Sequence, residues 1–237
     1  MARTAIWKTI TAALTHDIAT GKYAPGDRLP TEAQLAARFG VNRHTVRRAI
    51  SDMNESGLTY SRRGAGVFVA QRPTDYPIGK RVRFHQNLAA AGRVPAKEVL
   101  TLETRAASAH EAAQLGLEGE AQVHVYEGLS LADEQPIAIF RSIFPAARFP
   151  DLLAALEASR SVTTALAQGG VADYTRASTR LTAKLATATQ ALHLRLSEGA
   201  PILRSAGINV DPEGVPVEYG VTWFAGDRVT LTLNPGD

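Results

Sequence analysis

The sequence contains no cysteine and no long apolar run, and these absences exclude several kinds of protein. Without cysteine the chain can form no disulfide, thiolate metal site or cysteine nucleophile. No segment reaches the roughly 18 apolar residues that a membrane helix needs. The opening MARTAIWKTITAALTH also lacks the apolar core of a secretory signal. These features predict a cytoplasmic protein with no membrane partner.

Motifs of catalysis and cofactor binding are missing as well. The six histidines show neither HExxH nor another paired spacing. The phosphate-binding GxxxxGK[ST], the nucleophile elbow GxSxG and the dinucleotide signature GxGxxG do not occur. We therefore expect no catalytic residue, no metal ligand and no cofactor. An enzyme stays an alternative, because catalytic groups can converge in space without a sequence motif.

Positive charge is concentrated in the N-terminal third. Residues 1–72 carry 11 Lys+Arg against 5 Asp+Glu, whereas residues 73–237 carry 15 against 18. A basic segment of this kind suits a polyanion such as double-stranded DNA. A solvated basic surface would account for the charge equally well, so the arrangement of the side chains has to decide.

Three helices are predicted in the basic third. Apolar residues at every fourth position from Ile6 to Ile18 indicate an amphipathic first helix. Thr31 is a good N-cap for a second helix, which Gly40 ends in the left-handed conformation. Asn42 caps a third helix directly afterwards. The short connection between the second and third helices is typical of a helix-turn-helix.

The third helix carries an apolar stripe on one side and DNA-binding chemistry on the other. Its polar and basic positions are Arg43, His44, Thr45, Arg47 and Arg48, of which His44 and Arg48 are predicted to point directly away from the stripe. An arginine can bridge O6 and N7 of guanine, and threonine can reach a phosphate. This pattern indicates a helix that reads the major groove.

A short hairpin with the tip RRGAG follows the third helix. Two apolar strands flank Arg62, Arg63 and Gly64. Glycine lets such a tip approach another surface closely, and narrow minor grooves attract arginine. An ordinary basic hairpin is the alternative, which the preceding helix-turn-helix makes less favourable.

Residues 4–71 resemble the winged-helix domain of the GntR family, through PGDRLPTE, LAARFGV, the TVRRA run and RRGAGVFV. The resemblance implies DNA contacts from the recognition helix and the wing. With the residues named above, the candidate DNA-binding set is Thr31, Glu32, Asn42, Arg43, His44, Thr45, Arg47, Arg48, Arg62, Arg63 and Gly64. Ala33 and His44 depart from the family pattern, which bears on the operator sequence rather than on DNA binding.

The C-terminal part predicts an α+β domain. The Pro/Gly-punctuated QRPTDYPIGK indicates a linker at residues 72–78 between domains at 1–71 and 79–237. A helix followed by a hairpin then occurs twice, with turn prolines at Pro136 and Pro216. Duplication and convergence both explain this weak repeat. Either way, two such units side by side predict a central antiparallel sheet with helices on it.

This part also resembles the UTRA effector domain of HutC-type GntR regulators, through RFHQNLAAAG, LADEQPIAIFRSIFP and GVPVEYGVTWFAGDRV. The resemblance implies a chorismate lyase-like fold that binds a small, often phosphorylated or anionic effector. The opening YPIGKRVRFHQNL is similar to regulators of phosphonate operons. Sugar-phosphate-sensing relatives use two arginines at positions that are Gly128 and Ser130 here, which argues against the same phosphate site.

The candidate ligand-binding residues are Phe84, His85, Arg141, Arg176, Arg180, Glu218 and Thr222, with Arg83 as a further nearby arginine. An arginine fork suits the oxygens of phosphate or phosphonate. Arg141 alternates with three isoleucines, so it needs a partner or a ligand. Glu218 and Thr222 share one face of the last hairpin.

The resulting expectation is a transcriptional repressor rather than an enzyme. A homodimer would bind an inverted-repeat operator and be released by a phosphate, a phosphonate or a phosphate ester. The alternatives are a DNA-binding regulator whose C-terminal domain only dimerises, and a chorismate lyase-like enzyme.

Overall fold

A computed structural model describes residues 5–62, 64–70, 73–81, 84–90 and 92–233, with all side chains in these ranges except those of residues 62, 85, 86 and 90. The chain forms two compact units, residues 1–72 and 73–237. None of the helices within the described ranges is long and apolar enough to cross a membrane.

The first unit contains three helices followed by a hairpin. Its elements are α1 (Ile6–Ala19), α2 (Glu32–Phe39), α3 (Arg43–Glu55), β1 (Thr59–Arg62) and β2 (Gly66–Val69). The two strands pair antiparallel. The stripe that α3 buries is Val46, Ala49, Ile50 and Met53, and it packs with Ile10 and Leu14 of α1 and Leu35 of α2. The apolar spacing therefore predicted the packing correctly.

Local hydrogen bonds fix where α2 and α3 begin. The Thr31 hydroxyl accepts from the Gln34 amide at 3.3 Å, and the Gln34 side chain accepts from the Thr31 amide at 2.9 Å. Oδ1 of Asn42 accepts from the Thr45 amide at 2.9 Å. Between these two caps, Gly40 ends α2 at φ 64°. Such caps satisfy amides that a helix leaves without internal partners, so the chain turns within three residues and forms a helix-turn-helix.

The second unit is built on one antiparallel sheet of six strands. Its elements are β3 (Thr74–Pro77), α4 (Phe84–Ala90), β4 (Pro95–Ala106), α5 (Ala109–Leu115), β5 (Gln122–Ala132), β6 (Gln135–Pro145), α6 (Leu152–Ser159), α7 (Val162–Gln168), β7 (Thr175–Leu185), α8 (Ala188–Leu194), β8 (Pro201–Val210), β9 (Pro216–Ala225) and β10 (Val229–Thr232). The sheet order is β4-β5-β6-β9-β8-β7. This is the α+β architecture that the sequence predicts.

The predicted linker at 72–78 is wrong for most of its length. Residues 74–77 form β3, which pairs in parallel with β10 near the C-terminus. Tyr76 of this strand is buried, and its ring centroid lies 5.3 Å from that of Phe224. Proline and glycine around this short strand suggested a linker. The strand itself could not be recognised, because its pairing partner lies about 150 residues later and leaves no local signal.

The two helix-plus-hairpin units expected from the weak repeat are present. Capping boxes at Ser108 and Thr187 start α5 and α8, which precede the hairpins β5-β6 and β8-β9. The hairpins meet where β6 pairs with β9, with Arg141 opposite Val221. The sheet therefore has an approximate two-fold arrangement, in which each helix-plus-hairpin unit contributes one half.

Helices cover both faces of the sheet. Leu115 of α5 and Leu194 of α8 pack on one face with side chains such as Ile143 and Ile139. On the other face, α6 and α7 pack against the rings of Tyr126, Phe140 and Phe144. The helices α6 and α7 were not predicted. They help to close the cavity described below.

Glu111 should contribute charge-dependent stability to the second unit. Arg105 donates to both of its carboxylate oxygens, at 2.8 and 2.7 Å, and lowers its pKa from an ordinary 4.5 to about 2. Because the pKa of Glu111 is lower in the folded than in the unfolded state, its carboxylate stabilises the fold at pH values above the unfolded-state pKa. This stability is lost as the pH falls toward the folded-state pKa of about 2.

Replacing Glu111 by Gln should keep the helix cap and remove the charge. We expect the E111Q variant to lose about 2 kcal/mol of unfolding free energy at pH 7. The difference in unfolding free energy between E111Q and the unsubstituted protein should become smaller as the pH falls from 5 to 3. Urea denaturation across this range measures both quantities, and a difference that stays constant with pH would contradict the assignment.

Candidate functional site

The helix α3 carries five of the eleven predicted DNA-binding residues. Arg43, His44 and Arg47 are exposed, and Thr45 is half-buried beside them. Asn42 and Thr31 use their side chains as helix caps. Because the buried stripe faces α1 and α2, the first two turns of α3 present cations and a hydroxyl to solvent, as a major-groove reader requires.

Glu32 holds Arg47 in a fixed orientation. Nε and Nη2 of Arg47 donate to the two carboxylate oxygens of Glu32 at 3.0 and 2.7 Å. This fork lowers the pKa of the Glu32 carboxyl, with smaller contributions from Arg43 and His44. In the free protein Glu32 therefore contacts an arginine of the recognition helix, a role that the sequence did not reveal.

Arg48 does not point directly away from the core as predicted. Its guanidinium lies 5.0 Å from the ring centroid of Trp7 on α1. The helical wheel gives the direction of the Cβ atom only, whereas a long side chain can bend back over a neighbouring helix. Arg48 would have to leave the ring of Trp7 in order to reach a base.

The tip of the hairpin is partly described. Arg63 lies outside the described residues, and so does the side chain of Arg62. Gly64 has φ 76° and Gly66 has φ 112°, conformations that favour glycine. A Cβ atom on Gly66 would lie 2.7 Å from Nε of Arg28, so the end of that arginine side chain would have to shift.

A cavity of about 480 Å³ lies in the second unit, on the face of the sheet that α6 and α7 cover. Its charged lining residues are Lys97, Arg176 and Glu218. Hydroxyl groups make up much of the remaining wall, from Ser130, Ser142, Ser159, Ser161, Thr163, Thr164, Thr222, Tyr76 and Tyr174. A side lobe of about 60 Å³ shares several of these residues and adds Thr179 and Ser205. The volume and the polar lining suit a small polar ligand.

The guanidinium of Arg176 packs over Gly207 on the neighbouring strand β8. It occupies the space into which a Cβ atom of Gly207 would project. The Nε atom is buried and has no hydrogen-bond partner in the described part of the chain. A buried donor without a partner is costly, so an acceptor that reached this nitrogen would stabilise the guanidinium.

Lys97 enters the cavity among aromatic rings. Its Nζ lies 4.7 Å from the ring centroid of Phe140, 5.4 Å from that of Tyr126 and 5.5 Å from that of Phe84. Burial lowers the pKa of Lys97 to about 8, and the charge of Glu218 opposes this shift. The ammonium is therefore still mostly protonated at pH 7 and carries a positive charge into the cavity.

Glu218 supplies the acidic group of the cavity. It is buried, and Nδ2 of Asn209 on the neighbouring strand donates to its Oε2 at 2.6 Å. A carboxylate in this position can accept a hydrogen bond from a hydroxyl or an ammonium group of a ligand. The cavity thus combines two cations with one hydrogen-bonded anion.

Four of the predicted ligand-binding residues lie in the cavity wall, namely Phe84, Arg176, Glu218 and Thr222. For His85 the side chain lies outside the described residues, and Arg83 lies outside them altogether. Whether any of these residues binds a ligand stays a prediction.

Arg141 and Arg180 do not line the cavity, contrary to expectation. Nε of Arg141 donates to Glu127 on the adjacent strand at 2.7 Å. Its neighbours Phe140 and Ser142 face the cavity, so alternation along β6 directs Arg141 to the opposite face. Arg180 is exposed and alternates in the same way with Thr179, which lines the side lobe. The partner that the Arg141 pattern demanded is a glutamate of the same sheet.

The cavity residues that the sequence did not reveal include Lys97, Asn209 and Tyr76. These three belong to separate strands, and no local motif marks any of them. A Cβ atom on Gly128 would overlap the carbonyl oxygen of Glu98 and lie 2.9 Å from Cζ of Phe140. The backbone of β4 and the phenyl ring therefore take the space that a side chain at this position would need. Among the described residues, no cluster of His, Asp or Glu could hold a metal ion.

Residues 7–69 match the bacterial regulatory proteins of the gntR family, and residues 90–230 match the UTRA domain. The chain belongs to the GntR family and carries a UTRA domain. It is a transcriptional regulator of this type.

Individual relatives span almost the whole chain. An uncharacterized HTH-type transcriptional regulator of Rhizobium meliloti is 36% identical over 97% of this chain and 94% of that protein. The "Probable transcriptional regulator PhnF" of Escherichia coli is 36% identical over 89% of this chain and 88% of its own length. Further relatives at 27–28% identity are named as repressors.

The fold is also known from solved structures. The crystal structure of PhnF from Mycobacterium smegmatis superposes with a TM-score of 0.68 and covers 95% of this chain and 98% of its own. Its sequence identity to this chain is 24%, so the likeness concerns the fold.

Substituting Arg47 by Ala should weaken operator binding roughly 10- to 100-fold, because Glu32 orients this exposed guanidinium on the surface of α3 that would enter the major groove. Fluorescence anisotropy with the DNA upstream of the gene measures this. The R180A variant, which removes an exposed arginine of the second unit, serves as the control. Full-affinity, sequence-specific binding by R47A would show that another side chain reads the bases.

Proposed function

We propose that this chain is an effector-responsive transcriptional repressor rather than an enzyme. In this proposal a homodimer binds an inverted-repeat operator through α3 and the hairpin β1-β2. A small anionic metabolite, whether phosphate, a phosphonate or a phosphate ester, binds in the second unit and releases the protein from DNA. The observation that carries the effector class is Arg176, which lines a polar cavity and whose buried Nε has no hydrogen-bond partner in the described part of the chain.

The electrostatics of the cavity support an anionic effector. Arg176 and Lys97 outnumber the single acid Glu218. A guanidinium presents parallel donors that match two oxygens of a phosphate or phosphonate group. Hydroxyl side chains around the cavity can donate to the remaining oxygens. Charged hydrogen bonds of this kind are stronger inside a protein than at an exposed surface.

The first unit supports DNA binding and a symmetric operator. An isologous dimer presents two copies of α3, and two recognition helices match half-sites about one helical turn apart, roughly 34 Å. Names of relatives support repression and a role in phosphonate metabolism, since PhnF and several repressors share this architecture.

Release from DNA follows from differential affinity. An effector that binds the DNA-free form more tightly shifts the population toward that form. Linkage then requires operator DNA to weaken effector binding by the same factor. The proposal therefore predicts the same coupling constant whether it is measured on DNA or on the effector.

A release assay tests the proposal directly. The full chain is bound to labelled upstream DNA, and inorganic phosphate, methylphosphonate, 2-aminoethylphosphonate and glycerol 3-phosphate are titrated in at constant ionic strength. At least one of these anions should lower the operator affinity tenfold or more. Constant ionic strength is essential, because added salt alone weakens binding to DNA.

Replacing Arg176 by Met should abolish the response to the anion while operator affinity stays within about twofold of the original, because Arg176 lies in the second unit. The R180M variant removes an exposed arginine from the same strand and should respond normally. An operator complex that no anion in the panel disturbs, together with no anion binding by calorimetry, would reject effector control. A second unit that only dimerises would then be the better description.

A further inference from the structure

The approximate two-fold arrangement of the second unit places a cation at equivalent positions of its two halves. Lys97 on β4 lies eleven residues before Ser108, the N-cap of α5. Arg176 on β7 lies eleven residues before Thr187, the N-cap of α8. Both side chains line the same cavity. The repeat therefore contributes one cation from each half.

The strand pairing of the two cations corresponds as well. Lys97 lies opposite Ser130 on β5, and Arg176 lies opposite Asn209 on β8. Ser130 and Asn209 also line the cavity. Equivalent strands, equivalent positions and equivalent neighbours make this correspondence more than a coincidence of two long side chains.

The two cations come from opposite edges of the sheet. Their strands β4 and β7 are the outer strands of the six. Lys97 lines only the main chamber, beside Phe84 and Phe140, whereas Arg176 also lines the side lobe. Two acidic groups could therefore pair with the two cations separately.

Within the described residues, neither cation forms an ion pair with an acidic side chain. Lys97 contacts three aromatic rings, and the described residues give it no hydrogen bond. The Nε of Arg176 is buried and has no partner within the described structure. Glu218, the acid between them in the lining, accepts a hydrogen bond from Asn209. Removing a charge from water is costly unless it is paired, so both cations favour acidic groups from a ligand.

We infer that the effector is a two-headed acid, with a phosphorus oxyanion at Arg176 and a carboxylate at Lys97. The inference rests on the proposed function, since it concerns the ligand of the same cavity. The side lobe suits the oxyanion, because Arg176 lines it together with the hydroxyl donors Ser142, Thr179, Ser205 and Thr222. Glu218 would accept a hydrogen bond from a hydroxyl or amino group on the segment between the two heads.

Calorimetry with a series of defined acids tests this inference on the full chain. The two-headed probes are phosphonoacetate, 3-phosphonopropionate and 4-phosphonobutyrate. The one-headed probes are ethylphosphonate and propionate. One of the two-headed acids should bind at least tenfold more tightly than either one-headed acid, because a second charged contact is gained in the same cavity.

Substitutions separate the two heads. Lys97→Met should reduce the affinity for the best two-headed acid to that for ethylphosphonate and change ethylphosphonate binding less than twofold. Arg176→Met should weaken every phosphonate. Lys97→Arg should retain the preference for two heads. Two exposed residues of β7, the strand of Arg176, provide matched controls. Lys184→Met and Arg180→Met should leave the affinity for every acid unchanged.

The possible failures are distinguishable. If ethylphosphonate binds as tightly as every two-headed acid, or if Lys97→Met weakens both classes equally, the two-headed inference is wrong and the proposed effector control stands. If no acid of either class binds, the two-headed inference is wrong, and the release assay with inorganic phosphate and glycerol 3-phosphate decides effector control separately. Thermal unfolding shows whether each variant is folded. If Lys97→Met is not folded, the preference of Lys97→Arg for two-headed acids decides whether the two-headed inference is right.

Discussion

The antiparallel pairing of β6 with β9 is the contact on which the second unit depends. These central strands join two helix-plus-hairpin units, with Arg141 and Val221 opposite each other in the middle. Neither helix-plus-hairpin unit could bury the face of its hairpin alone, since an isolated hairpin is marginal in water. Once the ladder forms, β4 and β7 become the outer edges, and side chains that lie far apart in sequence share one face.

The cavity is a consequence of this pairing combined with side-chain alternation. Ser130, Ser142, Asn209 and Thr222 of β5, β6, β8 and β9 line the cavity, and such small or polar residues leave space between the sheet and the helices α6 and α7. Large rings such as Phe140 fill part of it. The same alternation directs Arg141 to the other face, where Glu127 neutralises it.

Prediction from sequence succeeded where structure is set by neighbours in the chain. The caps at Thr31 and Asn42, the left-handed Gly40 and the stripe of α3 depend on residues within a few positions, so spacing identified them. It failed for Arg48, whose orientation depends on Trp7 in another helix, and for β3, whose partner is the distant β10. Lys97 was missed for the same reason, because its neighbours in the cavity come from other strands.

The sequence by itself determined the helix-turn-helix, the α+β class and the concentration of positive charge in the first third, because local periodicity, capping and composition carry that information. Only the tertiary structure decided which cations face the cavity. A one-residue shift along a strand moves a side chain to the opposite face of the sheet, and the strand order brings Lys97 and Arg176 to the same chamber from opposite edges. Such positions depend on pairings between distant segments, which no short stretch of sequence encodes.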